Sequence, residues 1–299
     1  MAPARVTAVH RGRVQVVGEN LDVLAPAGGS LEGTPVVGDW VAFDGKRIRA
    51  ILPRRTEFAR EGAALAANVD LGLVFASSGE DPNLRRLERF VAMVMEGGIE
   101  PLVILTKGDL NDDAVAASDR IREQLGVELV VISSRDGWGI EAIRERLRPR
   151  STAVLVGPSG VGKSTMLNTL LGEERQRTLP VRERDGAGRH ATVHRELFAL
   201  PNGALIIDAP GVRRPGMASA EGVADAFPEI AELARSCRFS DCRHEDEPGC
   251  AVRGAVSEER LESMRKLQRE GAEAATRRSA GGEESPKYVR PRRSGRREV

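Results

Sequence analysis

Short runs in which apolar and polar residues alternate fill the first 62 residues of the chain. The runs are residues 13–17, 21–24, 39–43 and 47–52. Turn residues such as Gly28-Gly29 and Asp44-Gly45 separate them. Several short strands with turns at regular spacing predict a small all-β unit, and an OB-type β-barrel fits its size.

From about residue 67 to residue 208 the pattern changes to apolar strands that alternate with amphipathic helices. The predicted strands are residues 69–76, 101–106, 128–132, 152–157 and 204–208. The predicted helices are residues 83–97, 112–125, 139–147 and 164–171. This alternation predicts an α/β domain, with a largely parallel sheet covered by helices on both faces.

After about residue 219 the chain becomes helical again, and helical periodicity continues over residues 258–275. It fades into a stretch rich in Gly, Arg and Pro that we expect to be disordered. The predicted organisation is multi-domain: an OB-type barrel at 1–62, an α/β domain at 63–218, a mainly helical domain at 219–278 and a basic tail at 279–299.

Composition narrows the class of protein. A chain of 299 residues suits two or three domains, and 40% hydrophobic with 30% charged residues is typical of a folded protein. No apolar run reaches about 18 residues and the N-terminus has no signal-peptide pattern, so we expect a cytoplasmic protein that does not enter a membrane. Three cysteines do not make a disulfide framework.

The charge of the chain is uneven. Lys and Arg number 45 against 44 Asp and Glu, yet six basic residues and one acid lie within Lys287–Val299. This tail is either an arm for a polyanion or a solvated segment. Arg85, Arg86 and Arg89 are candidate phosphate contacts, although a solvated helix face is the simpler interpretation. Aromatic residues make up only 3%, which disfavours recognition by base stacking.

A complete phosphate-binding motif, G-x-x-x-x-G-K-[ST], follows the strand at 152–156 and opens the next helix, as a P-loop requires. Backbone N–H groups of this loop are expected to surround phosphates, while Lys163 reaches the β and γ phosphates and Ser164 ligates Mg²⁺. The residues of the motif are Gly157, Pro158, Ser159, Gly160, Val161, Gly162, Lys163 and Ser164.

A second phosphate-side motif, Asp208-Ala-Pro-Gly211, ends an apolar strand about 45 residues after the P-loop. An Asp at this place can hold the water shell of the metal, and the N–H of Gly211 can meet the γ-phosphate and sense its loss. Together with the P-loop, this motif favours a nucleoside triphosphatase.

Two further strand ends carry residues suited to guanine. Thr106, Lys107, Gly108 and Asp109 follow one strand, and Ser133-Ser134 follows the next. The Asp109 carboxylate can accept hydrogen bonds from guanine N1–H and the exocyclic amine, a donor pair that adenine lacks. The Lys107 stem can cover the base, and a backbone N–H near Ser133 and Ser134 can meet guanine O6.

The order of these motifs is informative. In ordinary GTPases the base-recognition strands follow the P-loop, whereas here residues 106–109 and 133–134 precede residues 157–164. The sequence therefore predicts a circularly permuted GTPase.

All three cysteines lie close together with one histidine, in the pattern Cys237-x4-Cys242-x-His244-x5-Cys250. Three thiolates and one imidazole form a closed ligand set for a structural Zn²⁺ ion. We expect one such ion to stabilise a small domain that has few apolar residues of its own.

Taken together, these features resemble the bacterial ribosome small subunit-dependent GTPase A family, which consists of circularly permuted assembly GTPases. Segments Gly38–Val41, Leu52–Thr56 and Ala67–Asp70 look like its barrel and domain junctions. Gly157 to Thr165 is similar to its P-loop, and Gly188 to Thr192 looks like its switch I. Cys237–Cys242 and Glu247–Val252 resemble its zinc segment.

The resemblance implies GTP hydrolysis stimulated by the small (30S) ribosomal subunit, contact with rRNA through an RNA-binding barrel, and a role in late maturation of that subunit. It places Thr192 as the switch threonine that ligates Mg²⁺ in the GTP state. Thr106 replaces the usual Asn, and Ala191 replaces the usual Thr.

The catalytic water has no obvious partner after Gly211, where Val212 replaces the Gln of Ras-like enzymes. His190 is the nearest residue that could orient the water, although an exposed switch residue or an RNA contact explains it equally well.

Three alternatives remain open on the sequence. They are a permuted GTPase of the large ribosomal subunit, a nucleotide-gated RNA adaptor without hydrolysis, and an ATP-using P-loop kinase. The zinc cluster and the barrel disfavour the first, and Asp109 disfavours the third. We expect a monomer.

Overall fold

The computed structural model describes residues 1–10, 12–27, 31–60, 62–78, 83–111, 113–172, 195–208 and 220–281. Its strands are β1 (Ala2–His10), β2 (Arg13–Gly18), β3 (Leu21–Pro26), β4 (Trp40–Phe43), β5 (Ile48–Ile51), β6 (Glu57–Arg60), β7 (Ala63–Ala67), β8 (Leu71–Ser77), β9 (Glu100–Thr106), β10 (Glu128–Val131), β11 (Thr152–Val156), β12 (Arg195–Ala199) and β13 (Leu205–Asp208). Its helices are α1 (Leu84–Glu96), α2 (Ala114–Leu125), α3 (Ile140–Arg146), α4 (Lys163–Leu171), α5 (Ala220–Ala226), α6 (Pro228–Ala234) and α7 (Glu258–Gly281), with a 3-10 turn at Gly108–Leu110. Within these residues, none of the helices combines the length and the apolar character needed to cross a membrane.

Strands β1 to β5 form an antiparallel, partly open barrel in the order β3-β2-β1-β4-β5. Alternate residues point inward, and Val6, Val16 and Phe43 belong to its single apolar core. The predicted OB-type barrel is confirmed. The sequence pattern did not predict β1, because its inward positions are small and its register shifts between Val6 and Ala8.

The hairpin of β6 and β7 joins the barrel to the α/β domain. Phe58 of β6 is fully buried in the same core as Val94 and Ile99. Gly97 lies so close to the hairpin that a Cβ atom there would be 2.2 Å from the Glu57 carbonyl oxygen. The boundary predicted between residues 62 and 63 falls at the tip of this hairpin.

Hydrogen bonds at the start of β11, the strand that leads into the P-loop, connect this strand to the barrel. Arg5 of β1 donates to the carbonyl oxygens of Gly38 (3.3 Å) and Asn68 (3.1 Å) and to Thr152 Oγ1 (2.9 Å). Asp70 accepts from the Thr152 N–H at 2.9 Å. The strand that leads into the P-loop is therefore held at its beginning by residues from both domains.

Five parallel strands form the central sheet in the order β10-β9-β8-β11-β13. Alternate residues face two separate cores: Val74 and Val156 pack towards α1 and α2, while Leu73 and Leu155 pack towards α3 and α4. The predicted parallel sheet with helices on both faces is confirmed. Strand β12, which the pattern did not predict, runs antiparallel to β13 and also pairs with β1, so barrel and sheet are continuous.

The C-terminal helices share a third core, to which Phe227, Ile230 and Leu261 contribute. Helix α5 packs closely on α1, since a Cβ atom on Gly222 would lie 2.9 Å from the Cβ atom of Glu96. Helix α7 continues to Gly281, beyond the predicted periodicity. The predicted mainly helical C-terminal domain is therefore present and rests on the α/β domain.

A buried ion pair fixes this contact. Arg260 of α7 donates to Glu88 of α1 at 2.8 Å, and both side chains are less than one-tenth exposed. Arg260 also donates to Glu229 (2.8 Å), and its guanidinium lies 4.1 Å from the centroid of the Phe227 ring. Ser263 donates a further hydrogen bond to Glu88. Burial raises the pKa of Glu88, while Ser263 and Arg260 act in the opposite direction and favour its charged form.

Replacing one member of this pair should destabilise the protein strongly. An Arg260→Met variant leaves the Glu88 carboxylate buried without its cation, so we expect the free energy of unfolding to fall by about 3–5 kcal/mol in urea denaturation. The matched control is Arg235→Met, which removes an exposed pair with Glu232 and should cost less than about 1 kcal/mol. Equal effects of the two variants would contradict the role assigned to Arg260.

Candidate nucleotide-binding site and metal centre

The P-loop lies where the sequence predicts it, between the end of β11 and the start of α4. Gly157 has a φ of +145°, and a Cβ atom there would lie 2.8 Å from the Phe75 carbonyl oxygen, so only glycine fits. The Lys163 ammonium donates to the carbonyl oxygens of Gly157 (2.8 Å) and Pro158 (2.6 Å). The lysine is thus held across the loop, and its charge lies where phosphates would enter.

The remaining P-loop residues follow the pattern of a phosphate cradle. Gly160 and Gly162 have φ values of +74° and +106°, conformations that favour glycine. Val161 is buried, and Ser164 is half-buried in the first turn of α4. The N-terminus of this nine-residue helix offers N–H groups and a positive dipole end to an anion. Ser159 and Thr165 are exposed at this loop.

Thr106 links the base loop to the P-loop. Its side-chain oxygen lies 2.5 Å from the Val161 carbonyl oxygen and 3.2 Å from the Ala76 carbonyl oxygen. Both carbonyl oxygens are acceptors for the Thr106 hydroxyl, and the Val161 oxygen is the closer of the two. The tie between the loops therefore exists although Thr106 replaces the usual Asn.

Lys107, Gly108 and Asp109 turn sharply after β9. Lys107 has a φ of +60°, and the 3-10 turn that follows leaves the Asp109 side chain exposed. The Gly108 N–H donates to the Ile132 carbonyl oxygen at 3.0 Å, which fixes this turn beside the end of β10. Asp109 is therefore available to a ligand at the sheet edge.

The second base loop is equally ordered. Ser133 is buried, and its hydroxyl lies 3.1 Å from Asp136 Oδ2 and 3.2 Å from the Asp136 N–H. The Ser133 N–H donates to the Trp138 carbonyl oxygen at 2.9 Å. Ser134 is half-buried beside it. The two base loops and the P-loop thus lie at the carboxyl ends of three strands of one sheet.

The metal-side residues are described in part. Asp208 ends β13 and pairs in register with Leu155, two positions before the P-loop. Its carboxylate is half-buried at the same sheet edge. Gly211, His190 and Thr192 lie outside the described residues.

Sequence reasoning missed three supports of this site. Ser78 donates from both its hydroxyl and its N–H to the Thr106 carbonyl oxygen (both 2.8 Å), and Asn111 donates to the Ser78 carbonyl oxygen (2.7 Å). Trp138 packs on Gly108. The sequence did contain a signal for Ser78, because this serine directly follows an apolar strand. Other strands of the same sheet also end in polar site residues.

Two of the candidate phosphate contacts on α1 are engaged within the protein. Arg85 donates to Glu262 (3.1 Å) and Arg89 donates to Glu270, both on α7. Arg85 and Arg86 are exposed, as a solvated helix face predicts, while Arg89 is half-buried against the last helix.

The cysteine and histidine side chains converge as predicted. The ligand atoms of Cys237, Cys242, His244 and Cys250 all lie within 4.8 Å of one another. His244 Nδ1 is 3.6 Å from Cys237 Sγ and 3.5 Å from Cys250 Sγ. Tetrahedral Zn²⁺ with Zn–S of about 2.3 Å and Zn–N of about 2.0 Å places sulfur and nitrogen about 3.5 Å apart, so the residues fit this ion.

Neighbouring groups hold the metal ligands in place. Glu247 accepts from the N–H groups of Arg243 and Glu245 (both 2.9 Å), which closes the loop around His244. Arg265 of α7 donates to the His244 carbonyl oxygen. Burial lowers the pKa of His244, which favours the neutral imidazole that a metal ligand requires.

Removing one thiolate should release the metal. We expect wild-type protein to carry about one zinc per chain and a Cys242→Ser variant to bind it about 100-fold more weakly or not at all, because a closed site loses one of four ligands. Elemental analysis after dialysis checks this. Asp241→Asn, an exposed neighbour, is the matched control and should keep its zinc; equal zinc content in both variants would exclude the cluster as the site.

Comparison with known proteins identifies related chains. The model of the RsgA GTPase family matches residues 51–218. A protein of Streptomyces coelicolor named "Small ribosomal subunit biogenesis GTPase RsgA" is 43% identical over 295 residues, covering 90% of this chain and 80% of its own. A protein of the same name from Methanosarcina acetivorans is 41% identical over 286 residues, covering 88% and 78%.

Solved structures share the fold. YjeQ from Thermotoga maritima superposes with a TM-score of 0.67 at 24% identity, covering 91% of this chain and 98% of its own. YloQ, described as a circularly permuted GTPase, gives the same TM-score and identity and covers 96% and 97%. The resemblance drawn from the motifs is thus confirmed: the chain belongs to the RsgA GTPase family and is a GTPase of circularly permuted fold.

Proposed function

We propose that this GTPase binds the small (30S) ribosomal subunit and acts in its late maturation, with hydrolysis stimulated by the subunit and with nucleotide state controlling binding and release. The observation that carries the proposal is the convergence of both base loops and the P-loop at one sheet edge in permuted order. Relatives named for small ribosomal subunit biogenesis support the choice of partner.

The P-loop binds the phosphates. Lys163 exchanges its contacts with the loop carbonyls for the β and γ phosphates, and it stabilises charge on the transferred group. Backbone N–H groups of the P-loop between Ser159 and Thr165 hold the phosphate chain in line for attack by water. Ser164 and Thr192 would hold Mg²⁺, which neutralises charge on the β and γ phosphates when bound.

The base loops select guanine. The exposed Asp109 carboxylate accepts from N1–H and the 2-amino group, the Lys107 stem covers the base, and the N–H groups near Ser133 and Ser134 serve O6. Thr106 and Gly108 hold the base loop in position, since each donates a hydrogen bond to a neighbouring segment.

The remaining roles follow from sequence position. Asp208 would hold the metal through its bound water, Gly211 senses the γ-phosphate, and His190 orients the attacking water when the ribosomal subunit is bound. The barrel at 1–62 and the helical domain at 219–278, with its zinc ion at Cys237, Cys242, His244 and Cys250, contact rRNA on either side of the GTPase domain at 63–218. The basic tail at 279–299 adds charge for RNA, and the protein works as a cytoplasmic monomer.

Phosphate release tests the partner and the nucleotide together. We expect slow release from GTP alone and at least about 10-fold faster release with purified 30S subunits, because ordering of the catalytic groups lowers the barrier. Large subunits and ATP are the controls and should give no such increase.

A His190→Ala variant in the same assay should lose the stimulated rate and keep the basal one.

Other outcomes select other functions. Binding of 30S subunits in the GTP state without stimulated release indicates a nucleotide-gated adaptor whose hydrolysis serves another step. Stimulation by large subunits alone indicates that the large ribosomal subunit is the partner. Equal release from ATP and GTP contradicts the guanine assignment.

A single exchange should alter base selectivity. In Asp109→Asn an amide donor replaces one carboxylate acceptor, so we expect GTP affinity to fall by about 100-fold while xanthosine triphosphate, which carries a carbonyl in place of the 2-amino group, gains affinity. Competition binding measures both. Asp113→Asn, the same exchange four residues further on, is the control; unchanged selectivity in Asp109→Asn would contradict the role of Asp109.

A further inference from the structure

Trp138 lies between the two base loops, and the proposed function gives it no role. Its carbonyl oxygen accepts from the Ser133 N–H at 2.9 Å and closes that loop. Its six-membered ring covers Gly108, since a Cβ atom on Gly108 would lie 2.7 Å from Trp138 Cζ3. One residue therefore contacts both loops.

The position of Trp138 is set by its neighbours in the chain. Gly137 and Gly139 have φ values of +76° and +75°. A Cβ atom on Gly139 would lie 2.2 Å from the Val131 carbonyl oxygen, so the backbone lies against β10 at this point. The indole is thus presented on a backbone with little freedom to shift.

Core packing does not explain this side chain. Trp138 is 49% exposed, whereas Phe75, Phe90 and Phe227 are almost fully buried. The buried part of the ring packs on a glycine turn, which has no side chain of its own to hold it. Val131 packs on the same turn, because a Cβ atom on Gly108 would lie 2.9 Å from its Cγ1 atom.

We propose that Trp138 is a positioning residue that sets base specificity. By packing on Gly108 while its carbonyl holds Ser133, it fixes the spacing between the Asp109 turn and the Ser133 loop, so that both reach the same base. Asp109 then meets both N1–H and the 2-amino group, and the 2-amino group is the donor that distinguishes guanine from hypoxanthine. This inference rests on the proposed contact between Asp109 and guanine.

Binding of GDP and IDP, which differ only in the 2-amino group, tests the inference by calorimetry. In Trp138→Ala we expect GDP affinity to fall by about 10-fold and IDP affinity by less than about 3-fold, so the preference for GDP shrinks. Trp138→Phe should restore most of the preference. Leu110→Ala, which removes an exposed apolar side chain from the same turn, is the control and should behave as wild type.

The outcomes separate this inference from the function on which it rests. Equal weakening of GDP and IDP by Trp138→Ala, or no change in either, overturns the role of Trp138. If Asp109→Asn keeps the full preference for GDP over IDP, the guanine assignment itself fails. If Asp109→Asn loses the preference and Trp138→Ala keeps it, only the inference about Trp138 fails.

Discussion

The carboxyl ends of parallel strands lie together at one edge of the central sheet, and the candidate nucleotide site depends on this arrangement. Strands β9, β10, β11 and β13 end at the two base loops, the P-loop and Asp208. Strand order in space decides which loops become neighbours, so the base loops can precede the P-loop in the chain. The hydroxyl of Thr106 shows this directly, because it bonds a P-loop carbonyl 55 residues away.

The flanking domains attach to the α/β domain through specific contacts. The barrel pairs β1 with β12 and sends Arg5 to the start of β11, so it joins the sheet at two places. The C-terminal helices attach to α1, where Arg260 meets Glu88. A buried ion pair adds little net stability compared with an apolar pair, but losing one partner is costly, so it favours a single arrangement of α1 and α7.

The candidate metal centre bears on the stability of a small unit between α6 and α7. The loop that carries Cys237 to Cys250 has few buried apolar residues, and Val252 is the one fully buried within its described neighbourhood at 236–256. Instead, three cysteines and one histidine converge there, and the Glu247 carboxylate accepts from backbone N–H groups of the loop. A zinc ion bound by these four side chains would link metal binding to the folding of this part of the chain.

Motifs that need several residue types at set spacings were predictable from the chain alone. The P-loop and the cysteine and histidine set follow from such spacings, since their chemistry acts between near neighbours in the chain, and the permuted order follows from the sequence in which the motifs occur. The pairing of β1 with β12, the engagement of Arg89 by α7 and the packing of Trp138 on Gly108 were not. Each joins residues distant in the chain, and a periodic pattern shows that a residue is buried or exposed but does not show against which partner it packs.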